Sequence, residues 1–142
     1  MFNKLIQQHL INKKILFVDD DKNIANMFVD LFTKGLGIEA HCAYDGKEGL
    51  NLLNKNNYDL IITDIKMPIL NGHQMISNIL EKDKEKDIKV IFLSGYKEEF
   101  YSDLLKEYRN NIVYISKPIS TIKLQSALIK LFNIEQEIIK WK

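Results

Sequence analysis

The sequence predicts an α/β domain in which a parallel five-stranded sheet is covered by helices on both faces. Two observations carry this expectation. Short apolar runs alternate five times with longer segments of helical periodicity, an order that calls for right-handed crossovers between parallel strands. Three of the five runs are apolar without alternation, which is how a strand covered on both faces reads.

The elements follow in order. Strands are predicted at KILFV (14–18), EAHCA (39–43), LIIT (60–63), KVIFL (89–93) and IVYI (112–115). After the first strand, Ile24, Met27, Phe28, Leu31 and Phe32 mark one face of a helix over NIANMFVDLFTK, ended by Gly35. In DGKEGLNLLNK, Asp45 is the expected N-cap and Leu50 and Leu53 share a face. The segments NGHQMISNILEK, KEEFYSDLLKEY and STIKLQSALIKLF supply three further helices, the last capped by Ser120. Ahead of Lys13, Phe2, Leu5, Ile6 and Leu10 fall at helical spacing. Residues 1–12 are therefore expected as an extension with a short amphipathic helix, docked on its own domain by default. At the far end, Leu124, Ala127, Leu131, Ile134, Ile138 and Trp141 keep a heptad rhythm. Residues 133–142 read either as a tail, with Asn133 breaking the helix, or as its continuation. Monomer and homodimer both stay open.

Composition bounds the function classes. A chain of 142 residues suits one domain with one good core, and 46% hydrophobic with 27% charged residues is ordinary for a water-soluble globular protein. Net charge is +1, so nothing in the bulk electrostatics favours nucleic acid or an anionic membrane as partner. No helix-turn-helix or basic patch appears either. The single cysteine, Cys42, rules out an intrachain disulfide and reads as a small hydrophobe of the second strand. With no signal-peptide pattern and no apolar run of membrane-spanning length, the expected location is the cytoplasm.

In such a sheet the chemistry sits beyond the carboxyl ends of the strands. Asp19, Asp20 and Asp21 follow the first strand, Asp64 the third, Ser94 the fourth and Lys117 the fifth. Taken singly, each has a plain structural explanation: an acid caps a helix, a Ser turns a chain, a Lys-Pro pair lies in a loop. Together, at equivalent positions, they fit phosphoryl transfer to a carboxylate. Mg²⁺ (or Mn²⁺) takes hard oxygen ligands and relieves the repulsion among clustered acids. A nucleophilic Asp attacks the phosphoryl group, while the ammonium and hydroxyl spread the charge on its oxygens. No glycine-rich loop follows the first strand, which disfavours nucleotide binding of the Rossmann or P-loop kind.

The stretches ILFVDDD, LIITDIKMPILNG, VIFLSGY and VYISKPI resemble the receiver domain of two-component response regulators, over about residues 13–132. The resemblance implies a flavodoxin-like (βα)5 three-layer sandwich with strand order 2-1-3-4-5. It implies that Asp64 accepts the phosphoryl group and that Asp19, Asp20 and Asp64, with the backbone carbonyl of Lys66, hold the metal. Lys117 would pair with Asp64, Ser94 would hydrogen-bond the phosphoryl group, and Tyr114, three before Lys117, matches the aromatic switch position. Pro118 would follow a cis peptide, which only proline makes cheap. Implied partners are a sensor histidine kinase or histidine phosphotransfer protein, and a downstream protein. The latter would read the face made by the fourth helix, fifth strand and fifth helix of the (βα)5 unit. Such a module promotes its own phosphorylation and hydrolysis but acts on no separate substrate. Lys66 and Tyr96, two residues after Asp64 and Ser94, either flank the site and slow self-dephosphorylation or simply point to solvent.

Two other readings compete. Haloacid-dehalogenase-type phosphatases are similar in placing a nucleophile after the first strand, here Asp19, in a D-x-D-x-[TV] pattern. Asn23 departs from that pattern, no late acidic pair appears, and Asp64 is left without a purpose. A receiver that never takes a phosphoryl group, acting only through protein contacts, is opposed by the intact set of acids, Ser94, Lys117 and Pro118. His9, His41 and His73 show no metal-ligand spacing.

Overall fold

A computed structural model describes residues 3–83, 85–95 and 103–134. The elements are α1 (Lys4–Leu10), β1 (Lys14–Val18), α2 (Lys22–Asp30), β2 (Glu39–Ala43), α3 (Gly46–Lys55), β3 (Leu60–Asp64), α4 (Gly72–Lys82), β4 (Lys89–Ser94), α5 (Asp103–Glu107), β5 (Ile112–Ser116) and α6 (Thr121–Leu131). All strand pairs are parallel, in the order β2-β1-β3-β4-β5. This is the flavodoxin-like three-layer arrangement expected from the sequence.

The two-residue period of a strand divides the core. Ile15, Phe17, Leu60, Ile62, Ile91 and Leu93 face α1, α2 and α6. Their neighbours Leu16, Val18, Ile61, Val90 and Phe92 face α3, α4 and α5. Unbroken apolar runs are thus what a sheet buried on both sides requires. The last three strands run one residue further than the apolar pattern. Asp64 pairs with Leu93 and Ser94 with Ser116, so the ladder carries the polar residues to the sheet's edge and fixes them there.

Helix starts follow local capping chemistry. Asp21, Asp45, Asn71 and Ser120 each accept a backbone N–H at the start of α2, α3, α4 and α6, and Asn71 forms a capping box with Gln74. The end of α2 differs from expectation. The helix widens into a π-turn over Leu31–Gly35, and the left-handed residue is Gly37, at φ 68°, not Gly35. The buried face of α2 is also narrower than the pattern suggested. Phe28 stacks on Phe17 at 4.5 Å and Phe32 is fully buried, yet Met27 is 60% and Leu31 40% exposed. They border an open groove beside Ile119 and Leu124 rather than a packed neighbour.

At the chain ends, Ile6 and Leu10 of α1 enter the same core as Leu128, Leu131 and Ile134. Hydrogen bonds from Gln7 Nε2 to the Leu36 carbonyl (3.1 Å) and from Asn3 N–H to Gln125 Oε1 (2.6 Å) hold the helix down. Helix α6 stops at Leu131, and Asn133, at φ 54°, turns the chain through the left-handed region that Asn tolerates. The heptad rhythm therefore does not continue as one helix, because Ile134 folds back into the core. Ile138, Trp141 and the segment before α5 lie outside the described residues. Among those described, no helix is long and apolar enough to cross a membrane.

Candidate functional site

The sheet register brings the tips of β1, β3, β4 and β5 together. Asp19, Thr63, Asp64 and Ser94 are the buried polar residues among those described, and all lie at this edge. Carboxylate oxygens of Asp19, Asp20 and Asp64 lie within 4.8 Å of one another. Lys117 reaches across from the loop after β5 and donates from Nζ to Asp64 Oδ2 at 2.7 Å. Its backbone N–H donates to the Ser94 carbonyl, also at 2.7 Å, which ties the fifth-strand loop to the fourth strand. The Lys117–Pro118 peptide is cis.

The three consecutive acids split into two roles. Asp21 is the cap of α2, accepting from the N–H groups of Asn23 (3.0 Å) and Ile24 (3.3 Å). Asp19 points into the site, where Oδ1 accepts the Asp21 N–H at 2.9 Å. Its other oxygen, Oδ2, is buried without a hydrogen-bond partner. Burial, above all, raises the Asp19 pKa from 3.8 to about 6, with the Asp64 and Asp20 charges adding to it. The Asp21 N–H and Lys117 pull the other way. An orphaned buried carboxylate oxygen is costly unless something pairs with it. Three hard oxygen donors, one of them exposed to solvent on Asp20, suit a divalent cation that keeps part of its water shell.

Loop geometry seats the acceptor candidate. Gly72 N–H donates to the Ile65 carbonyl at 2.9 Å, drawing the start of α4 onto the residue after Asp64. A Cβ on Gly72 would collide with the Asp64 carbonyl, so only glycine fits there. The Thr63 hydroxyl, buried in β3, donates to the same Asp64 carbonyl at 2.9 Å. Lys66 is exposed on this loop, while Tyr96 lies outside the described residues.

Tyr114 sits on β5, half-buried and stacked on Phe92, with ring centroids 5.2 Å apart. Its hydroxyl meets His73 Nε2 at 3.0 Å. The sequence offered no signal for this contact, since the partners are 41 residues apart. Thr63 was legible in principle, as the one polar residue of LIIT, directly before Asp64.

Known proteins are similar to this chain in sequence and fold. The family model described as "Response regulator receiver domain" matches residues 15–129. Sporulation initiation phosphotransferase F of Bacillus subtilis is 27% identical over 128 residues, covering 89% of this chain and 98% of that protein. The probable transcriptional regulator ycf29 of Pyropia yezoensis is 31% identical over 132 residues, or 89% of this chain. The chain spans 55% of that regulator's length. Among solved structures, the receiver domain of the Francisella response regulator 1452 superposes with a TM-score of 0.65 at 35% identity, covering 86% of this chain and 98% of that one. The match runs from the first strand into the last helix, and the chain belongs to the response regulator receiver domain family.

Proposed function

We propose that this receiver is a phospho-acceptor switch, modified at Asp64 by a sensor histidine kinase or a histidine phosphotransfer protein. One observation carries the reading: Lys117 Nζ sits 2.7 Å from the Asp64 carboxylate, beside two further acids at the same sheet edge. An Asp64 oxygen forms a P–O bond as the N–P bond of a phosphohistidine breaks, and the leaving imidazole takes a proton from water. Lys117 then follows the charge from the carboxylate to the phosphoryl oxygens, and the Ser94 hydroxyl donates to one of them. Mg²⁺ or Mn²⁺ held by Asp19, Asp20, Asp64 and the Lys66 carbonyl would neutralise the negative charge that gathers as donor and acceptor meet. The 98% coverage of a relative named a phosphotransferase supports the same reading.

The pairing of Lys117 with Asp64 disfavours Asp19 as a nucleophile, as does the burial that holds Asp19 protonated more readily. Exposed Lys66, with Tyr96, is assigned the screening of the acyl phosphate from water. Output is assigned to the face formed by α5, β5 and α6, where Tyr114, Val113, Ile122 and Ser126 line a groove of about 400 Å³ between β5 and α6. Phosphorylation changes this face by shifting a balance of a few kcal/mol between two arrangements of the Ser94 loop and Tyr114. The proposal includes a cytoplasmic location, where the free thiol of Cys42 stays reduced.

The test is incubation with acetyl phosphate, with and without Mg²⁺, followed by intact mass. Wild type is expected to gain one phosphoryl group only with the metal, and Asp64→Asn none. Labelling of Asp64→Asn at the wild-type level would refute the reading.

A further inference from the structure

His73 follows Gly72, the residue that seats α4 on the loop after Asp64, and its side chain reaches across to β5. There its Nε2 lies 3.0 Å from the Tyr114 hydroxyl. The imidazole meets Phe92 edge-on at 4.7 Å and 68°, and Phe92 in turn stacks on Tyr114 at 26°. Phe92 is fully buried and is the register partner of Tyr114 across β4 and β5. Three rings from three elements thus form one packed unit, with a polar contact closing it. Burial pushes the His73 imidazole down from its ordinary value, which favours the neutral ring beside Tyr114.

A neutral imidazole nitrogen in a half-buried place gains most from a partner it can reach without moving. Tyr114 supplies that partner only while it lies against Phe92. A Tyr114 that swings outward strands the nitrogen and gives up the stacked ring as well. The backbone behind His73 makes the contact informative. The Gly72 N–H bond to the Ile65 carbonyl, 2.9 Å, leaves just two peptide linkages and one hydrogen bond between Asp64 and His73. Resting on the reading of Asp64 as acceptor, we propose that His73 is a positioning residue for Tyr114. It holds the phenol against Phe92 and couples the output face to the acceptor loop by a route separate from Ser94.

The test uses the protein labelled with 3-fluorotyrosine, the Tyr114 resonance being assigned by its loss in Tyr114→Phe. His73→Phe keeps a ring beside Phe92 but removes the nitrogen, while His73→Gln restores a group that hydrogen-bonds. Loss of one net hydrogen bond predicts a fall of about fivefold in the ratio of inward to outward Tyr114 in His73→Phe. His73→Gln is expected to recover most of it, with the other tyrosine resonances unmoved. An unchanged Tyr114 signal in His73→Phe, or a Gln variant no better than Phe, overturns the proposal. Labelling by acetyl phosphate is read in parallel. If wild type takes no phosphoryl group, the acceptor reading fails, while the fluorine spectra still decide whether His73 positions Tyr114.

Discussion

Replacing Asp19 with Asn is expected to stabilise the metal-free protein at neutral pH and to lose that effect in acid. Asp19 is 2% exposed, carries an oxygen with no hydrogen-bond partner, and has its pKa raised from 3.8 to about 6. A folded-state pKa above the unfolded one means that, between those values, the native state keeps a proton the unfolded chain has released. Stability therefore falls as pH rises through that window, and the full penalty is present at pH 7. The displacement corresponds to an upper limit of about 3 kcal/mol. Asn keeps the Oδ1 acceptor for the Asp21 N–H, removes the charge, and presents an amide where the orphaned oxygen was. The expected gain is thus about 1–3 kcal/mol at pH 7 and falls to about 0.5 kcal/mol or less at pH 4. Urea unfolding in EDTA at several pH values, compared between wild type and Asp19→Asn, cancels the titrations of groups remote from the site and leaves Asp19 with the Asp64, Asp20 and Lys117 charges coupled to it. Added Mg²⁺ is expected to narrow the gap at pH 7 by stabilising wild type more than the variant. A difference between the two proteins that stays constant from pH 4 to pH 7.5 would mean that the buried charge is not what strains this site.

Other expectations follow from single residues. Ile69, 75% exposed with φ 74°, is a β-branched residue in the left-handed region, and Ile69→Gly is expected to stabilise by about 1 kcal/mol in urea unfolding; a loss of stability would contradict the strain. Leu10 of α1 is fully buried, so Leu10→Ala is expected to cost about 3 kcal/mol, although α1 precedes the matched residues 15–129. A cost near zero would show that α1 is dispensable to the core. The Lys66→Ala, Tyr96→Ala double variant is expected to shorten the lifetime of the acyl phosphate several-fold in a decay assay, and an unchanged lifetime would remove the screening role.

The fold was largely legible because burial on both faces leaves a simple mark: Leu16 and Phe17 are adjacent in sequence yet serve opposite layers, so neither can be polar. The site was legible for a related reason. Polar residues at the ends of such runs, Asp19, Asp64 and Ser94, have nowhere to go but the shared edge. What pattern could not resolve was division of labour among neighbours. Asp19, Asp20 and Asp21 look alike in sequence, and only the start of α2 shows that Asp21 caps a helix while Asp19 turns inward. Helical periodicity likewise placed Met27 and Leu31 with Phe28, but periodicity reports which residues share a face, not how far a neighbour covers it. The contact between His73 and Tyr114 belongs to a third kind of information. It depends on two elements meeting across the edge of Phe92, which no local spacing encodes.

The central claim is that Asp64, and not its acidic neighbours, forms the covalent bond. Borohydride reduction of the phosphorylated protein converts an acyl phosphate to homoserine, and peptide mass spectrometry then locates the converted residue. Conversion at position 64, dependent on Mg²⁺, is the predicted result; conversion at position 19 or 20 contradicts the account.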